Sequence, residues 1–252
     1  MAEVLIETHS HVRFLTLNRP EKRNALNDLL IGGLKTALSD AYKDGNLQAV
    51  VIRGAGSDFC SGADLAALQK ISENTLEENI ADAMNLAGLF ELIRSVPVPV
   101  IAAVHGRAVA GGCGLATACD LVLATKTARF GYPEVKIGFV PAMVAAILRR
   151  NLSEKRSFEL LTQGFEFSAD EALGIGLVNR VFDDEGFGEA VIEYASAYSK
   201  VSGSAVKLTK KLLYGIDGDD FSSALRKGAE VNAEARMTDD CKAGIAKFLN
   251  KT

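Results

Sequence analysis

The sequence lacks any apolar run near the roughly 18 residues that would suggest a membrane span, and no membrane partner is expected. Its N-terminus, MAEVLIETHSHVRFLTLN, has no basic start, apolar block or small-residue cleavage site, so no secretory leader is expected. The four cysteines, Cys60, Cys113, Cys119 and Cys241, form no CxxC pair. They read as reduced thiols, which implies a cytoplasmic chain. Cys60 or Cys113 as a nucleophile stands against the ordinary alternative of a buried small hydrophobe. Histidine is scarce, and His9 and His11 have no third ligand near them in sequence, so a surface turn is expected there and no metal site. A net charge of -4 disfavours wholesale nucleic-acid binding, which needs a basic face, and leaves room for a local patch that takes one nucleotide-sized anion. There is no internal repeat and no low-complexity segment. What remains is 252 residues, 48% hydrophobic and 24% charged, enough for one large domain or a domain with a small appendage.

The hydrophobic pattern starts with two short strands, 4–8 and 11–18. The second is apolar on both faces and therefore central. A helix over 26–43 follows, capped by Asn24 or Asn27, then a buried strand over 48–54. This strand–strand–helix–strand opening indicates an α/β fold. Lys22 and Arg23, just before the helix, are either free for a phosphate or simply solvated. Gly54-Ala55-Gly56 begins a dinucleotide fingerprint, but Phe59 stands where the third glycine belongs. The pattern next predicts one long helix over 73–95, a strand over 98–104, helices over 142–150 and 153–162, a capping box at Ser168–Glu171, and a last strand over 177–182. Beyond Phe187 the pattern is helical throughout, with too many apolar positions for a solvated tail.

Small residues crowd the stretch from Ala103 to Pro141, where Gly111, Gly112 and Gly114 cluster and the pattern suggests a strand ending in Asp120. A strand–glycine–helix junction offers free backbone N–H groups to an oxygen that becomes negative during a reaction. The alternative is a tight turn packed under a neighbouring helix. A second loop-to-helix junction, Ser61-Gly62-Ala63-Asp64, offers Ala63 N–H as the other half of an oxyanion hole. Glu134 is the candidate acid/base, with Phe59, Val109, Phe139 and Val140 as a desolvating pocket.

These loops resemble the enoyl-CoA hydratase/isomerase family, the crotonases, over nearly the full length. The carriers are RPEKRNALN at 19–27, FCSGADL at 59–65, GRAVAGGCGLATACD at 106–120, FGYPEVKIGFVP at 130–141 and AKFLNK at 246–251. The resemblance implies a spiral of ββα turns over residues 1–186 with two roughly perpendicular sheets, and a helical region over 187–252 that builds a homotrimer or hexamer. It implies an acyl-CoA thioester substrate and no cofactor beyond the coenzyme A that the substrate carries. Ala63 and Gly111 match the family's oxyanion donors. Arg23, Ala25, Asp64 and Leu65 match positions that touch coenzyme A, as do Phe248 and Lys251 near the C-terminus. Glu134 matches the second of two glutamates used by the hydratases; the first is replaced by Gly114. Glu78 or Asp82, on the covering helix, is a candidate substitute. The wording around GLATACD and EVKIGFVPA is similar to a bacterial branch that includes methylglutaconyl-CoA-type hydratases. Hydration of a 2-enoyl-CoA, isomerisation of a 3-enoyl-CoA and non-catalytic acyl-CoA binding all follow from such a resemblance.

Overall fold

The computed structural model describes residues 2–250. The chain opens with the hairpin β1 (Val4–His9) and β2 (Val12–Leu17), whose turn places Ser10 at φ 55°. Helix α1 (Asp28–Lys43) begins at Asn27, whose side chain accepts from Leu30 N. That is two residues after the expected start, because Leu26 pairs with a neighbouring loop. Strand β3 (Ala49–Gly54) follows. A helix follows the 61–64 junction, α2 (Leu65–Glu73), and the helix expected over 73–95 is α3 (Leu76–Ser95), which starts three residues late where Thr75 and Glu78 close a capping box. Glu78 thus serves as an exposed cap and is not available to a pocket.

Strand β4 (Val100–Val104) starts only after Pro97 and Pro99, which lack the N–H a ladder needs. A three-residue strand, β5 (Arg107–Val109), leads into α4 (Gly111–Ala118), and β6 (Leu121–Thr125) follows Asp120. The strand expected to end in Asp120 is therefore a helix, with Asp120 ahead of the next strand. Strand β7 (Arg129–Gly131) precedes a 3₁₀ turn over Pro133–Ile137. Helices α5 (Ala142–Asn151) and α6 (Glu154–Gln163), strand β8 (Glu166–Ser168), helix α7 (Ala169–Gly174) and strand β9 (Arg180–Phe182) complete this part. Helices α8 (Phe187–Ser196), α9 (Gly203–Gly215), α10 (Phe221–Met237) and α11 (Asp239–Leu249) end the chain.

The strands form two sheets. One has the order β1-β2-β3-β4-β6-β9, parallel except for the first hairpin; the other has the order β5-β7-β8. The inner strands of the large sheet are buried on both faces, which explains the two-sided apolarity of β2. Leu15 and Leu17 join the main core with α1, while Val12 and Phe14 join a second core closed by Val191 and Ala195 of α8. Helix α9 is tied to the core by Lys210, whose Nζ reaches Asp120 Oδ2 at 2.6 Å and the carbonyls of Ile93 and Val98. None of the described residues of α10 or α11 is buried. No helix among the described residues is long and apolar enough to cross a membrane.

Candidate active site

Three chain segments run side by side at the ends of short parallel strands, where α/β folds place ligands. An isolated bridge joins Cys60 to Ala108, with Cys60 N donating to Arg107 O and Val109 N donating to Cys60 O. Carried forward in step, this register sets Gly62 beside Ala110 and Ala63 beside Gly111. The contacts agree. A Cβ on Gly62, which sits at φ +91°, would meet Ala110 Cβ at 2.8 Å. A Cβ on Gly112 would meet Cys60 Cβ at 2.8 Å and collide with the Cys60 carbonyl. The glycines are there because two backbones touch. The second pairing is β5 with β7, Val109 opposite Gly131, and Ala110 N donates to Gly131 O at 2.9 Å. Gly111 and Glu134 therefore leave adjacent strand ends.

The two candidate donors are aimed by these pairings. Leu26 N donates to Gly62 O at 2.7 Å, and Asp64 N donates to Leu26 O at 3.0 Å. In a parallel bridge the flanking groups face the partner strand, so the N–H of Ala63 faces the other way. Gly111 is the first residue of α4, and a first-turn N–H has no partner within its helix. Ala110, the residue before it, holds φ 49° and ψ -130°, a strained conformation for alanine that turns the chain sharply into the helix.

Glu134 occupies the 3₁₀ turn after β7. Its Oε2 is buried with no hydrogen-bond partner. Burial pushes its carboxyl above the usual carboxylate range, and its own backbone N–H offsets this only in part. A buried carboxyl left unsatisfied, on the strand end adjacent to the one that leads into Gly111, has the chemistry of an acid/base for an oxyanion hole built there.

The other expected residues divide. Asp64 caps α2 through Ala66 N and pairs with Arg19 at 2.7 Å, so its carboxylate is already engaged. Those hydrogen bonds, Ala66 N–H first, hold its pKa below the usual range. Ala25 is buried, and its carbonyl accepts from Arg19 Nη1. Arg23 is exposed, with a left-handed backbone and a carbonyl that accepts from Ser61 N. Leu65 opens α2. Phe248 is exposed on α11, which packs on α9 and α10. Lys251 lies outside the described residues. The expected pocket wall is corrected in part. Phe59 is fully buried in the core, whereas Phe139 and Val140 are exposed in the segment just after the 3₁₀ turn.

The position of Gly114 has no room for a side chain. A Cβ there would meet Val144 Cγ2 at 2.8 Å and Phe90 Cζ at 3.3 Å. An apolar contact between α3 and α5 fills the place of a second carboxylate. Sequence reasoning also missed Arg19, Asn24 and Tyr132. Asn24 is completely buried and holds the 55–58 loop by donating to the carbonyls of Ala55 and Asp58. Its signal was present, an amide in a loop that did not serve as the helix cap.

The comparisons with known proteins agree with this geometry. The family model described as enoyl-CoA hydratase/isomerase matches residues 7–252. A Thermus thermophilus protein provisionally named an enoyl-CoA hydratase is 42% identical over 241 residues, covering 96% of this chain and 95% of its own. The short-chain-enoyl-CoA hydratase of Clostridium acetobutylicum is 32% identical over 250 residues, covering 98% of this chain and 95% of its own. The 2,3-dehydroadipyl-CoA hydratase of Escherichia coli is 32% identical over 252 residues, covering 100% and 97%. The crystal structure of an enoyl-CoA hydratase from Mycobacterium smegmatis superposes with a TM-score of 0.94 at 33% identity, covering 99% of this chain and 96% of that one. With the match extending over almost the whole chain and the loops meeting as that fold requires, the protein is an enzyme of the enoyl-CoA hydratase/isomerase family.

Proposed function

We propose that the protein hydrates the double bond of a 2-enoyl-CoA thioester, with Glu134 as its single acid/base and the N–H groups of Ala63 and Gly111 as oxyanion donors. The observation that carries this reading is the buried, unpartnered Oε2 of Glu134 beside the start of α4. The names of the Thermus, Clostridium and Escherichia relatives support hydration. The thioester carbonyl accepts from both N–H groups, and those bonds strengthen as an enolate forms, which favours the transition state over the ground state. Water bound to the Glu134 carboxylate gives it a proton while its oxygen bonds to the β-carbon. The same carboxyl then delivers that proton to the α-carbon. One carboxyl suffices for the whole addition, and burial, which raises its pKa, favours the protonated form it needs as the acid.

Isomerisation of a 3-enoyl-CoA is the second reading, favoured by the apolar contact at Gly114. Moving a proton from the α- to the γ-carbon needs one carboxylate and no activated water. We place coenzyme A, carried by the substrate as its only cofactor, along Arg23, Ala25, Asp64 and Leu65, with Phe248 and Lys251 near its far end. A branched or glutaconyl-type acyl group, a cytoplasmic location and assembly through the helical C-terminus belong to the same reading. Assay of crotonyl-CoA, a 3-enoyl-CoA and 3-methylglutaconyl-CoA separates the reactions. Glu134→Gln is expected to lower turnover by roughly 10²–10⁴-fold. Near-normal turnover of every thioester by that variant would refute the mechanism.

A further inference from the structure

Tyr132 lies two residues before Glu134 and is the largest completely buried side chain. A phenol deep in a core needs a reason, because its hydroxyl must find a partner there. Its Oη is 3.3 Å from Thr117 Oγ1 on α4, and the same hydroxyl interacts with the Cys113 thiol one turn earlier on the helix. The direction of this bond follows from proton counting. Thr117 has one hydroxyl hydrogen, and Oγ1 lies 3.0 Å from Cys113 O and 3.3 Å from Gly114 O. The Thr117 proton goes to the helix carbonyls, so its lone pair accepts from Tyr132. The chain of bonds runs from Tyr132 through Thr117 into the backbone of α4.

Helix α4 also begins with Gly111, the oxyanion donor. One short helix therefore holds the donor at its start and anchors the acid/base turn along its side. On the other flank, Gly131 O accepts from Ala110 N. The segment from Gly131 to Glu134 is fixed to the 110–117 unit at two points, one backbone and one phenolic. Glu134 itself has no side-chain partner to hold it at Oε2. Its placement falls to its own backbone, and so to these anchors.

We infer that Tyr132 is a positioning residue that fixes Glu134 against the oxyanion hole through its hydrogen bond to Thr117. This rests on the reading of Glu134 as acid/base. A small displacement of an acid/base from its reacting carbon is costly, since about 1 Å is worth up to 10²-fold.

The test uses the full-length protein with crotonyl-CoA. Tyr132→Phe keeps the ring and removes the hydroxyl, and it leaves Thr117 bonded to its helix carbonyls. Its kcat is expected to fall by about 10-fold with KM unchanged. Thr117→Val should reproduce that fall, and Thr117→Ser, which keeps the acceptor, should restore kcat. A merely structural role would lower the melting temperature and leave kcat intact well below it. If Tyr132→Phe does not fold, the Thr117 pair decides alone. Glu134→Gln is run beside them. Turnover lost in Glu134→Gln but kept within about twofold in Tyr132→Phe and Thr117→Val overturns the positioning role alone. Turnover kept in Glu134→Gln overturns the acid/base reading, and this inference with it.

Discussion

Glu134 and Asp64 are carboxylates on neighbouring loops with opposite electrostatics. Burial raises the pKa of Glu134, so the folded chain binds that proton more tightly than the unfolded chain does. The group is most compatible with folding below the unfolded value of about 4.3 and costs stability as pH rises through its folded pKa. Glu134→Gln should therefore raise the urea midpoint at neutral pH while lowering turnover, and the gain should vanish near pH 4. An unchanged midpoint at neutral pH would show that the carboxyl is solvated after all. Asp64 behaves in the other sense. Ala66 N–H and Arg19 lower its pKa, so its contribution is complete above the unfolded value of about 3.9 and is lost as pH falls through the folded pKa. Asp64→Ala should cost stability at pH 7, and its unfolding curve should converge with the wild type in acid. Glu134 was legible in the sequence because a lone acid stood in an apolar stretch. The partner of Asp64 was not, since Arg19 lies 45 residues away. Ala110 carries a different strain. At φ 49° and ψ -130° its side chain is the wrong one for its backbone, so Ala110→Gly is expected to stabilise the fold by about 1 kcal/mol, read from urea unfolding.

Helix α4 shows what local pattern does and does not disclose about an element. Its glycines announced a helix start, yet the reason for each lies in other elements. Gly112 answers to Cys60, and Gly114 answers to Val144 on α5 and Phe90 on α3. Introducing glutamate at Gly114, where the family resemblance implies one, meets a filled space and buries a charge. The smaller change, Gly114→Ala, should cost about 1–3 kcal/mol by overpacking. Val144→Ala in the same chain should recover part of that loss, because it removes the methyl in conflict; additive losses in thermal unfolding would contradict the contact. Caps at Asn27 and Ser168 were legible because their signal spans only a few residues. Strands β5, β7 and β8 were not, since three residues are too few to establish alternation. These unreadable strands bring the site together. The tie between Asp120 and Lys210 was equally invisible, for it joins positions 90 apart.

At the scale of the molecule, two kinds of C-terminal helix are distinguishable by what they cover. Helix α8 closes the second core, and α9 sends Lys210 to a largely buried carboxylate that also accepts from Tyr214 Oη and Val100 N. Removing one partner of such a pair leaves the other charge buried, so Lys210→Met should cost about 3–5 kcal/mol. Helices α10 and α11 cover nothing comparable. They expose Phe221, Leu225, Met237, Ile245 and Phe248, while α3 exposes Leu76, Ile80 and Met84. A single surface aromatic is ordinary, but a helix pair with no buried residue and this many large apolar groups has the composition of an interface. Assembly through α10 and α11, which the family resemblance implies as a trimer, would give the sequence a reason to keep such residues. We therefore expect light scattering at micromolar concentration to give three chains or a multiple of three. The thermal midpoint should fall on dilution, because association stabilises only the folded chain. Phe221→Asp with Leu225→Asp should shift the mass towards one chain if α10 lies in the contact. A monomer mass for the wild type at that concentration would leave those exposed residues without this explanation.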